Sequence, residues 1–165
     1  MKLTLIAGLI ILAQSAFAGG RSFDGRWIGE GVTYSSADPA VPGKVYLEIN
    51  VVRKSEIKSV VDNINKVMTA DGTVIAEFVG SYTFTDDVTK PGVTKITWNV
   101  GGQDVDAGLQ IATPLTYSED ISQQGINLHE DGYLLNAETL LRVGKFTMPD
   151  GSVLTYVATL KKQSK

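Results

Sequence analysis

A single histidine, His129, stands in Asn127-Leu128-His129-Glu130-Asp131-Gly132 with two carboxylates beside it. An imidazole near carboxylates titrates upward and can serve as a base or a ligand. One histidine makes a poor transition-metal site, however, since zinc sites draw on three or four nitrogen and sulfur ligands. The segment therefore reads as a solvated hairpin turn. Asp104-x-Asp106-x-Gly108 has the acidic spacing of part of a calcium loop. Its glycine comes too early for an EF-hand, and no glutamate closes the loop. Glu119-Asp120 reads as a turn as well, and Glu48, Glu77 and Glu138 as an outer, solvated wall. There is no Gly-x-Ser-x-Gly elbow, and a Ser-His-Asp triad would have to recruit the turn histidine. Cysteine is absent, which removes thiolate nucleophiles and Cys-ligated metal centres. The expectation is a protein with no catalytic residues and no metal site: not an enzyme.

The aromatics are more informative. Phe78, Tyr82, Phe84, Trp98, Tyr133 and Tyr156 recur at two-residue spacing with apolar neighbours, which places them on the inward faces of strands and makes them the expected lining of a cavity. Tyr82, Tyr133 and Tyr156 matter most, because a buried phenol wants a hydrogen-bond partner and so implies a partly polar interior.

The elements that would position them are strands. Phe23, Gly25, Trp27, Gly29 and Gly31 share one face; Val45, Leu47, Ile49 and Val51 another; Val74 to Phe84 and Thr94 to Val100 alternate likewise. Asp71-Gly72, Lys90-Pro91-Gly92, Glu130-Asp131-Gly132 and Pro149-Asp150-Gly151 are turn signals. Ala37 to Gly43, with two prolines, reads as a loop, and Gly101 to Gln124 as a long loop holding a short strand. Ile57, Val60, Val61, Ile64, Val67 and Met68 fall on a helical stripe, yet the β-branched residues and asparagines favour a strand; a short helix around 56–69 is the alternative. The sum is an all-β, antiparallel up-and-down barrel of about 8–9 strands.

The chain opens MKLTLIAGLIILAQSAFA, with one lysine, an apolar run and an Ala-x-Ala ending. This is the pattern of a secretory signal peptide over 1–18, and the run is too short to span a bilayer. A single barrel domain over 19–165 is expected to follow, periplasmic or secreted, in a bacterial style of export. The net charge of −3 comes from interspersed charges of both signs, so no phosphate-binding footprint exists and nucleic acid is not an expected partner. Charged outer faces and a polar C-terminus argue against stable membrane insertion.

Gly25-x-Trp27 in the first strand resembles the signature of the calycins, which include lipocalins, fatty-acid-binding proteins and avidins. The longer form Gly25-x-Trp27-x-Gly29-x-Gly31 also resembles the first strand of nitrobindin-type barrels. The resemblance implies that these four residues close one end of a barrel, with Arg142 or Lys161 over the tryptophan. It also implies a cup for a small apolar ligand. Haem, the nitrobindin ligand, would need a histidine on a late strand; Ser152 to Lys162 has none, and Tyr156 is the nearest substitute. No cofactor is expected, with haem the lesser alternative. The expected function is binding or carriage of a small, mostly apolar molecule. The alternative is an exported protein-interaction module, such as an inhibitor of a secreted hydrolase, acting through loops at Ser35–Gly43 or Gly101–Gln124.

Overall fold

A computed structural model describes residues 23–164; the expected signal peptide lies outside them. Ten strands follow one another: β1 (Gly25–Ser35), β2 (Asp38–Arg53), β3 (Lys58–Met68), β4 (Val74–Asp86), β5 (Val93–Val100), β6 (Gln103–Ala112), β7 (Thr116–Gln123), β8 (Ile126–Asn136), β9 (Thr139–Thr147) and β10 (Val153–Lys162). Each pairs antiparallel with its sequence neighbours, and β1 pairs with β10, which closes the barrel. The architecture is the expected meander, with ten strands rather than eight or nine and no helix among the described residues.

Of the two readings of 56–69, the strand is the one observed: β3 (Lys58–Met68) turns Ser59, Val61, Asn63, Asn65 and Val67 inward. Its apparent helical stripe arose because Val60 and Ile64 give the outer face apolar residues too. Residues 37–43 belong to β2. The ladder with β1 runs from Thr33↔Gly43 to Ser35↔Asp38, leaving residues 39–42 opposite Tyr34 alone. Prolines are tolerated in this bulge because no ladder hydrogen bond is asked of them. Residues 101–124 supply β6 and β7.

A third difference changes the interior. Glu130-Asp131-Gly132 is not a turn but the middle of β8, and the chain reverses at Ala137-Glu138. Alternation set by Ile126 and Leu128 therefore runs on through Glu130, Gly132 and Leu134, and Tyr133 falls on the outer face, 41% exposed. The same parity turns Leu140, Arg142, Gly144 and Phe146 of β9 inward.

Two first-strand glycines answer a close approach. A Cβ on Gly29 would stand 2.1 Å from the Thr159 carbonyl oxygen, and one on Gly31 1.9 Å from that of Val157. At both positions β1 comes close to the β10 backbone, which only residues without a Cβ permit.

Candidate functional site

The interior divides along the barrel axis. Toward the β1–β2 and β9–β10 turns, Phe78 stacks on Phe146 with ring centroids 4.9 Å apart, and Phe146 lies 5.6 Å from Tyr156. Val45, Leu128 and Leu154 belong to the same core. Toward the opposite end, where β1 begins and β2 ends, a cavity of about 90 Å³ remains.

Its apolar walls include Phe23, Trp27, Ile49, Val61, Phe84 and Leu140, and its polar side Asn63, Tyr82, Gln110, Glu119 and Arg142. Trp27 is 1% exposed, its indole N–H donates to the Phe23 carbonyl at 2.8 Å, and Phe23 meets Tyr117 edge-on at 5.2 Å. The cation over the indole is Lys162, with Nζ 5.1 Å from the ring centroid. Lys161 donates to Thr139 instead, and Arg142 is held by Glu130. Trp27 thus shares its end of the barrel with the cavity.

The expected lining residues separate. Tyr82 and Phe84 face the cavity. Phe78 and Trp98 pack against the core without lining the cavity. Tyr133 is outside. Tyr156 is buried and donates its phenol to Glu130, so it does not fit as a ligand to haem iron.

The chemistry sits on strands that the sequence reading had assigned to turns. Glu130 is fully buried and accepts hydrogen bonds from Tyr117 and Tyr156 and an ion pair from Arg142. Glycines make this convergence possible. A Cβ on Gly132 would fall 2.0 Å from the Tyr117 ring, and one on Gly144 2.3 Å from the Tyr156 ring. Each phenol lies across a glycine to reach the carboxylate.

Glu119 completes the cluster, with one oxygen 3.8 Å from Arg142 Nη2 and the other accepting from Gln110 at 2.9 Å. Burial, reinforced by the nearby Glu130 charge, pushes its carboxyl up to about 8, so it is uncharged at neutral pH. Burial also raises both phenols, Tyr117 and Tyr156. It works against the charge on Arg142, but Glu130 and the phenols outweigh it and hold the guanidinium firmly protonated. Two of the cavity's buried polar atoms find no partner among the described residues: Arg142 Nη1 and Asn63 Oδ1. A buried donor without an acceptor costs about 1–3 kcal/mol, more when charged, so such atoms mark where another molecule would contribute.

His129 stands on the outer wall, its Nδ1 2.8 Å from Asp120. Sequence reasoning missed Glu119, Glu130 and the inward course of Arg142. A signal was present: each occupies the parity of apolar neighbours, Tyr117 and Ile121, Leu128, and Leu140 and Phe146.

No family model matches the chain, and no curated protein matches it. Solved structures do. The S-type phycobiliprotein lyase CPES from Guillardia theta superposes with a TM-score of 0.64 at 10% identity, covering 93% of each chain. A protein of unknown function from the DUF3598 family of Nostoc punctiforme gives 0.59 at 11% identity, over 87% of this chain and 48% of that one. EF1p2_mFAP2b bound to DFHBI gives 0.53 at 12% identity, over 90% and 100%. At these identities the likeness is one of fold alone: the chain forms a closed, ten-stranded antiparallel β-barrel.

Proposed function

We propose that the protein binds a small, mostly apolar molecule in the cavity beside Trp27, and holds or carries it rather than transforming it. The observation that carries this reading is the buried Arg142, on the polar side of a cavity whose other walls are apolar, with Nη1 unmatched among the described residues. Binding sites are typically apolar concavities with a few convergent polar groups. The fold neighbours add support, one solved with DFHBI bound and one a phycobiliprotein lyase. The lyase raises catalysis as a possibility for the fold. In this chain the phenols of Tyr117 and Tyr156 are spent on Glu130, which favours binding.

Size narrows the ligand. At about 90 Å³ the space is well below the roughly 300–1,000 Å³ of pockets for drug-sized ligands. The enclosed space takes the head of a ligand, a polar group with the edge of a ring, whose remainder lies in the mouth by Arg53, Asp86 and Asp87.

Export belongs to the same proposal, resting on the signal-like pattern of residues 1–18. Native mass spectrometry on protein from its own source tests both parts. Loss of the first 18 residues and a small-molecule adduct released on denaturation are expected. An unprocessed N-terminus sinks export; bare protein that also takes up no aromatic probe sinks the binding reading.

A second reading, a protein-interaction module, has its own observation. Strand β4 pairs with β3 along its length but with β5 only over Tyr82–Asp86. Its first half therefore leaves one edge unpaired among the described residues, with Ile75 61% and Val79 69% exposed beside it. Free edges accept added strands. If this edge binds a partner, Val79→Lys abolishes the complex; a complex unaffected by V79K removes the edge from consideration.

A further inference from the structure

We infer that the cavity selects ligands bearing an uncharged hydrogen-bond acceptor, a carbonyl or amide on a compact apolar body, and rejects carboxylates of the same shape. This rests on the binding reading above and names the chemistry of its ligand.

Arg142 is 1% exposed, and its Nε and Nη2 are already committed to Glu130, which is fully buried. One cation and one carboxylate cancel. The remaining facing groups are Glu119, uncharged at neutral pH because of its burial, the phenols of Tyr117, Tyr156 and Tyr82, and the amides of Gln110 and Asn63. The site is therefore electrically balanced before any ligand arrives. A carboxylate would bring one uncompensated negative charge into a buried space, next to two buried acidic side chains, and such burial is strongly unfavourable.

The unmatched groups ask for an acceptor rather than for a charge. Arg142 Nη1 has no acceptor among the described residues, and an uncharged Glu119 presents an O–H of its own. A carbonyl oxygen answers the Arg142 donor, and Glu119 lines the same cavity. Asn63 Oδ1, likewise unmatched, accepts the N–H of an amide.

The mouth agrees with the interior. Arg53, the cation there, lies 3.3 Å from Asp24 and 3.7 Å from Asp86, and Asp87 also lines the entrance. Lys162 is engaged with the Trp27 ring. Three carboxylates against these two cations offer no spare positive charge to draw an anion inward.

Benzamide, benzoate and benzamidine test the inference, because they share size and shape and differ in charge. Each is titrated at pH 7 into the full chain carrying Trp98→Phe, so that the Trp27 indole N–H is the one indole resonance to follow by NMR. Benzamide is expected to bind at least about tenfold more tightly than either ion, a difference of about 1.4 kcal/mol. Benzoate binding as tightly as benzamide overturns the inference, since a spare positive charge would then exist. Benzamidine binding tightest at pH 7 also overturns it, since Glu119 would then be ionised. If no probe moves the Trp27 resonance, the cavity is not a binding site, and the inference falls with that reading. A second variant separates the parts: at pH 9.5 the parent chain shifts its preference toward benzamidine, whereas Glu119→Gln keeps the order benzamide over benzamidine.

Discussion

Near the β9–β10 turn, Phe78 stacks on Phe146, and Phe146 lies tilted against Tyr156. At the other end, strands of the same sheet enclose Glu119, Glu130 and Arg142 beside about 90 Å³ of open space. Both ends follow the same inward–outward alternation, so the difference is one of side chains. Aromatic rings fill volume and ask only for contact. Buried carboxylates and a guanidinium ask for complete sets of partners, and here the set stops one acceptor short. What the comparison teaches is that one end of this barrel supplies stability through packing, and the other carries polar groups whose burial makes sense with a ligand.

The sharpest way to break that contrast is at the ion pair. Arg142→Met leaves Glu130 buried with only the two phenols and is expected to cost about 3–5 kcal/mol, measured by urea unfolding. The double variant Arg142→Met with Glu130→Leu recovers part of the loss. If R142M costs under about 1 kcal/mol, the cluster is not the buried pair described.

Next comes the packing itself. Phe146→Ala is expected to lose about 3–5 kcal/mol while leaving benzamide binding intact. Phe84→Ala, 6% exposed at the edge of the existing cavity, should lose at least about 1 kcal/mol less, because part of its surroundings is already open. It should also alter probe affinity. Equal losses and equal affinities would erase the distinction between the ends.

A third effect, of comparable size, is the pH dependence of stability. The folded state holds the Glu119 proton up to about 8, whereas an ordinary glutamate gives it up near 4.5. The folded state therefore binds more protons across that interval, and stability falls as pH rises through it. The contribution is fully present below about 4.5 and lost above about 8. Glu119→Gln cannot titrate, so its stability relative to the parent should climb from pH 5 to pH 8.5. A constant difference between the two chains would show that Glu119 is ionised throughout.

Much of the barrel was legible beforehand because alternation, turn residues and cross-strand periodicity are local. The Asp71-Gly72 and Pro149-Asp150-Gly151 turns are where the sequence places them, with Gly72 and Gly151 at positive φ. The site was less legible. Glu130-Asp131-Gly132 has the composition of a hairpin turn, and that resemblance hid the carboxylate at its centre. Gly132 serves a different need, leaving room for the Tyr117 ring. With that turn misplaced, the parity after it reverses, and Tyr133, expected inside, falls on the outer face, as a one-residue slip must make it do.

By itself the sequence determined the class of fold, the antiparallel order and a tryptophan-bearing first strand with glycines spaced at two. These follow from steric preferences read over a few residues. Only the tertiary structure decided that Glu119, Glu130 and Arg142 meet, since they lie on three strands and converge because the sheet closes. It also decided where the interior stays open, because a cavity is the volume left over after every other side chain has been placed.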